Sequence, residues 1–219
     1  MHLHWQAGGR AGAGRAGILS VRPLFASLLY QGELGDVSLV AELEQSCLQL
    51  AEDDRAGQRW AKAHGYSGYT SYASLNDLPV RDPAFGDLKR LLDRHVARFA
   101  ETCGFELEGR KLKLDSLWAN VLTGGGGHSG HIHPHSVVSG TVYVAVPPGS
   151  GGLRLEDPRL AMMMAAPTRR DDAAEMLQSF VTVEPTPGAV LLWESWLRHE
   201  VPASSAKGKR ISISFNYRW

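Results

Sequence analysis

Arg210-Ile211-Ser212-Ile213-Ser214-Phe215-Asn216-Tyr217, at the end of the chain, alternates apolar and polar side chains without a break. A period of two puts Ile211, Ile213 and Phe215 on one face of a strand and Ser212, Ser214 and Asn216 on the other. Taken alone, Asn216 reads as a solvent-facing position on a sheet edge. Upstream, Gly152–Glu156, Phe180–Glu184 and Ala189–Trp193 read as short strands, and Val137–Val146 as a longer one closed by Pro147-Pro148-Gly149. Leu112, Leu114, Leu117, Ala119 and Val121 mark another. Strands of this length, separated by Gly/Pro turns and mostly without helices between them, predict an antiparallel sandwich or barrel.

The first half differs. Val21–Tyr30 is apolar and reads as an opening strand. Asp36 offers an N-cap, with Leu39, Leu43, Cys47 and Leu50 at helical spacing to about Ala51. Gly57–Leu78, rich in Gly, Tyr, Ser and His, reads as loop. Asp82-Pro83 opens a second helix, whose face of Phe85, Leu88, Leu91, Leu92, Val96, Phe99 and Ala100 runs to a stop at Gly104. The expected class is therefore mainly β with flanking helices, the helices packed on one sheet.

The chain has 219 residues, 43% hydrophobic and 21% charged, enough for one domain with a sizeable core. Lys plus Arg and Asp plus Glu are 23 each. With no basic surplus, nucleic acid and anionic membranes are not expected partners. No apolar run approaches the length of a membrane span. Residues 1–17, rich in Gly, Ala, Arg and His, lack the apolar core of a secretory signal and read as a flexible extension before a single domain at 18–219, with a cytoplasmic address. The two cysteines, Cys47 and Cys103, are too few for a disulfide framework and read as buried thiols. Residues 160–177 hold three consecutive methionines, Met162–Met164, between two strands; a connection of that length is a functional lid or a disordered insert.

Four of the nine histidines fall in His128-Ser-Gly-His131-Ile-His133-Pro-His135. On a strand, His131 and His133 would present two imidazoles side by side, while Pro134 bends the chain and leaves His135 out of phase. His128 is expected at the mouth or in solvent. A firm metal site needs a third ligand, and His199, delivered by the apolar strand after Pro185–Gly188, is the candidate. The bland alternative is a solvated His/Gly loop that takes up adventitious metal. Tyr143 by itself reads more readily as core than as a ligand-binding group, and Trp118, Trp193 and Trp196 as core or pocket wall.

Taken in order, Trp118-Ala-Asn120, His131-Ile-His133-Pro-His-Ser136, Ser139-Gly-Thr-Val-Tyr143, Asp157-Pro-Arg159 and Arg210-Ile-Ser-Ile-Ser-Phe-Asn216 resemble the 2-oxoglutarate/Fe(II)-dependent oxygenases, in particular a bacterial group with a His-x-His-Pro motif. The resemblance spans about Val21 to Trp219. It implies a double-stranded β-helix, or jelly roll, holding Fe(II) and the cosubstrate 2-oxoglutarate and hydroxylating an unidentified small molecule or peptide. It matches His131 and His199 to two iron ligands and places His133 where the wider superfamily has Asp or Glu. It assigns Arg210 and Ser212 to the far carboxylate of 2-oxoglutarate, with Tyr143 and Asn120 as further hydrogen-bonding positions. A guanidinium suits that task because it grips a carboxylate through two parallel hydrogen bonds. Arg159, Met163 and Trp196 are the expected substrate or lid contacts, and Glu194 or Asp157 the expected groups orienting an imidazole. Edge strands leave a homodimer open. The rival readings are a three-histidine cupin-like enzyme independent of 2-oxoglutarate, and a non-catalytic metal-stabilised binding module.

Overall fold

Local signals start the helices, and the computed structural model, which describes residues 21–219, shows where they stop. The proposed extension at residues 1–17 lies outside the described residues. Asp36 caps helix α1 (Val37–Asp53) by accepting from the Leu39 amide at 3.0 Å. Asp82 caps α4 (Pro83–Thr102) in the same way through Ala84, and Gly104, at φ 69°, ends it in the left-handed region that favours glycine. Two readings need correcting. The opening strand β1 is only Leu29–Glu33, because residues 21–28, which include Pro23 with no donor, pair with nothing. The presumed loop at 57–78 contains helix α2 (Arg55–Ala63), strand β2 (Gly68–Thr70) and the start of the short α3 (Leu78–Arg81). Asp54 begins α2 one residue after α1 ends, accepting from the amides of Ala56 and Gly57.

The remaining strands are β3 (Lys113–Leu122), β4 (His128–His131), β5 (Val138–Ala145), β6 (Leu153–Glu156), β7 (Phe180–Val183), β8 (Ala189–Glu194), β9 (His199–Val201) and β10 (Arg210–Arg218). They form a six-stranded sheet, ordered β1-β8-β5-β10-β3-β2, and a four-stranded one, β4-β9-β6-β7; every ladder is antiparallel. This is the jelly-roll layout that the strand pattern and the resemblance implied.

The period-two alternation decides what each face of the large sheet meets. Ile213 and Phe215 of β10, Val142 of β5, Ala119 of β3 and Leu192 of β8 point outward and bury against Leu39 and Leu43 of α1 and Phe85, Leu88 and Leu92 of α4. Each large aliphatic or aromatic side chain so buried contributes roughly 1.5–3 kcal/mol. Gly140 of β5 lies opposite Phe215, whose ring occupies the space a β-carbon would need. The other face looks inward at the small sheet and carries Ser116, Trp118 and Asn120 of β3, Arg210, Ser212, Ser214 and Asn216 of β10, and Ser139, Thr141 and Tyr143 of β5. None of the described helices is long and apolar enough to cross a membrane.

Candidate metal centre

His131 and His199 are direct cross-strand partners in the small sheet, with ring centroids 4.4 Å apart. His131 and His133 do lie side by side, with ring centroids 5.1 Å apart, but only His131 is on the strand, and the shorter contact is the one across two strands. His133 lies past the end of β4, where its amide donates to the Ser195 carbonyl at 3.0 Å. From there its ring spans the gap to the large sheet, 3.2 Å by Nε2 from His199 Nε2 and 5.9 Å by centroid from Trp118. As expected, the chain bends after Pro134: His135 has φ 69° and does not join the cluster. One nitrogen from each of His131, His133 and His199 lies within 4.8 Å of the other two, a spacing that fits a single metal ion.

The tautomers favour ligation. His131 Nδ1 is 2.6 Å from the Ser129 carbonyl, and His199 Nδ1 is 2.9 Å from that of Leu197. A carbonyl only accepts, so both Nδ1 atoms carry the proton and both Nε2 lone pairs are free. The orienting groups are therefore main-chain oxygens and not Glu194 or Asp157; Asp157 is held by Arg159 at 2.8 Å. Burial pulls His133 down to about 4 and His199 down to about 3, so both are neutral at pH 7, as a metal ligand must be.

Across the cavity, about 60 Å³ in volume, stands Arg210. It is 2% exposed and, among the described residues, no carboxylate pairs with it. Its Nη1 donates to Ser212 Oγ at 3.2 Å, and its Nε has no partner. An uncompensated buried charge is costly, and here burial is what lowers the guanidinium's pKa. Two more buried polar atoms have no partner: the Tyr143 hydroxyl, with the Arg210 guanidinium 5.1 Å from its ring, and the Trp193 indole N–H, whose ring meets His199 at 4.7 Å. Burial raises the Tyr143 pKa, so the phenol stays a donor. Three orphaned donors around one cavity fit an anionic, oxygen-bearing ligand.

Of the remaining expected residues, Asn120 lies across from Ser212 on the same sheet face but is largely committed to other partners. Its Oδ1 accepts from Thr70 at 2.9 Å and Tyr66 at 3.3 Å, and its Nδ2 donates to Ser214 at 3.1 Å. Arg159 pairs with Asp157, Met163 is half-buried in the β6–β7 connection, and Trp196 is 48% exposed in the β8–β9 turn. Of the two places expected for His128, the mouth holds and solvent does not: it lines the cavity, its ring packs edge-on against Tyr66 at 5.5 Å, and burial with nearby Arg210 lowers its pKa to about 4. Asn216 is not solvent-facing either, being 7% exposed because β10 lies between β5 and β3 in mid-sheet. Tyr66 and Asn216 were missed as site residues, whereas Trp193 is the pocket wall it was read as. The parity of Asn216 with Arg210 and Ser212 was a usable signal; nothing in the Gly/Tyr/Ser/His-rich segment singled out Tyr66.

Residues 116–216 match the family described as "Putative 2OG-Fe(II) oxygenase". No curated protein sequence matches the chain. Among solved structures, a prolyl-4-hydroxylase of Pseudomonas putida is similar at 18% identity over 88% of this chain and 94% of that one, with a TM-score of 0.54. HygX from Streptomyces hygroscopicus with nickel and 2-oxoglutarate bound is similar at 14% identity, over 88% and 82%, with a TM-score of 0.57. The epimerase SnoN in complex with Fe3+, alpha ketoglutarate and nogalamycin RO gives 16%, 88%, 79% and 0.60. At such identities the likeness is one of fold. The family match and the site coincide: residues 116–216 hold all three histidines and the buried arginine.

Proposed function

We propose that the protein is a 2-oxoglutarate- and Fe(II)-dependent dioxygenase that hydroxylates a substrate not yet identified. The observation that carries this is the pairing of a three-imidazole cluster with a buried, carboxylate-free Arg210 across one cavity. Iron and 2-oxoglutarate, when bound, would supply the oxidising chemistry with dioxygen as the oxidant: one oxygen atom goes to the keto-acid, which loses carbon dioxide to give succinate, and the other goes into a C–H bond of the substrate as the hydroxyl. Metal ions with 2-oxoglutarate in HygX and SnoN, on the same fold, support the choice of cofactors.

The chain's own part is binding and orientation. His131 and His199 offer pre-oriented Nε2 lone pairs, and His133 completes the set where the wider superfamily has a carboxylate. Three neutral ligands keep the facial arrangement but neutralise less of the metal's charge. Arg210 holds the far carboxylate of 2-oxoglutarate, with the hydroxyls of Ser212 and Tyr143 beside it, relieving the cost of a buried unpaired cation. Trp118 and Trp193 wall the cavity against water. Residues 160–177, which join β6 to β7 next to the strand of His199 and expose Met162, Met164 and Met176, are assigned to the substrate side as a lid.

Purified protein given Fe(II) and 2-oxoglutarate should release succinate, and His199→Ala should abolish both turnover and bound iron. Unaltered iron content in that variant would refute the site. In Arg210→Ala, undiminished 2-oxoglutarate binding would turn the assignment toward a keto-acid-independent enzyme.

A further inference from the structure

We propose that Asn216 is the positioning residue of the metal centre and supports His133 in either tautomer through an amide that can turn over. The inference rests on the three-histidine reading above.

His133 is the one imidazole of the three whose Nδ1 faces no carbonyl. Its Nδ1 is 3.4 Å from Asn216 Nδ2, which as placed donates to it. The opposite nitrogen, Nε2, is 3.2 Å from the proton-free Nε2 of His199. The His199 contact is a hydrogen bond only if His133 carries its proton on Nε2 and donates it, and the Asn216 amide as placed is compatible with that form. That form has no lone pair at Nε2 to give a metal. Ligation through Nε2 requires the ring to hold its proton on Nδ1 instead, and Nδ1–H then needs an acceptor where Asn216 now presents a donor.

The surroundings of Asn216 allow that reversal. Its Oδ1 accepts from Ser139 Oγ at 2.8 Å, and its Nδ2 donates to Ser116 Oγ at 3.2 Å. Both partners are hydroxyls, which donate or accept equally well. Ser139 continues to Ser195 Oγ at 2.8 Å, where either oxygen can be the donor. Turning the amide over therefore keeps its hydroxyl bonds and brings Oδ1 to His133 Nδ1–H. Backbone register fixes the group in place, since Asn216 is the cross-strand partner of both Ser116 and Ser139. A carboxylate or carbonyl there would accept only; the amide serves the metal-free and the metal-bound ring alike.

Long-range 1H–15N correlation spectra of the imidazoles, in metal-free and Zn(II)-loaded protein, report the tautomer without any mutation. His133 should be Nε2–H without metal and Nδ1–H with it. Zn(II) affinity from chelator competition should fall about 10–100-fold in Asn216→Ala, the usual cost of losing an orienting partner. Asn216→Asp, which accepts only, should bind Zn(II) more tightly than the parent; opposite signs at one position exclude simple loss of structure. An Nε2–H tautomer for His133 in the Zn(II) form, or an Asn216→Asp site no tighter than Asn216→Ala, overturns the proposal while leaving the triad standing. A parent protein that takes up no Zn(II) overturns the triad and the proposal together.

Discussion

Arg210 brings a permanent charge into the sheet and finds there one hydroxyl, the ring of Tyr143 and no carboxylate. That arrangement is unfavourable until an anion arrives. Arg210→Met should therefore leave the cosubstrate-free protein at least as stable as the parent, measured by thermal denaturation. The same change should weaken 2-oxoglutarate binding to the Zn(II)-loaded protein by about 10–100-fold by calorimetry, the loss expected for hydrogen bonds to a charged group. The histidines give a pH dependence. His128, His133 and His199 titrate in the folded protein at about 4, 4 and 3, below their ordinary 6.5, chiefly because they are buried. Below pH 6.5 the unfolded chain thus binds protons that the native one refuses. The stabilisation from keeping these rings neutral is present above pH 6.5 and is lost progressively as pH falls toward 4. Urea midpoints of the metal-free protein at pH 7.5 and 5 should show the lower value at pH 5.

Elements tie the site to the scaffold. Asp54 closes α1 and opens α2, and its second oxygen accepts from Tyr69 of β2 at 2.9 Å and from Ser74. That junction sets the path by which Tyr66 reaches Asn120 and His128. Asp54→Ala should cost about 2 kcal/mol in chemical denaturation, combining a lost cap with orphaned buried partners. Gly140→Ala would drive a methyl into the Phe215 ring and the Leu191 carbonyl, and should destabilise by about 1–3 kcal/mol. The two helices with a clear cap and a long apolar face, α1 and α4, were legible because each signal lies within a few residues of the turn it controls. Helix α2 was not, because it is nine residues long, has a glycine in its first turn and buries only Gly57 and Ala61, so no row of large apolar side chains marks it; it exists through Asp54 and its packing on β2.

For the molecule as a whole, the layers decide what is protected. Leu88, fully buried between α4 and the sheet, should lose about 2–5 kcal/mol when cut to alanine. The connection from 160 to 177 lies outside both sheets, with Arg169 and Arg170 exposed, so brief trypsin treatment should cut there first and leave bound iron in place. The sequence by itself determined the β-rich class, the two capped helices, the short strands with their inward and outward faces, and the residue types able to hold a metal and a dicarboxylate. All of those are written in periods and caps a few residues long. Only the tertiary structure decided that β10 runs through the middle of its sheet, making Asn216 an interior group, and that His131 meets its neighbouring imidazole across a ladder. The third ring lies sixty-six residues from His199 along the chain. Which strand lies beside which depends on pairing between distant segments, and no local alternation encodes it.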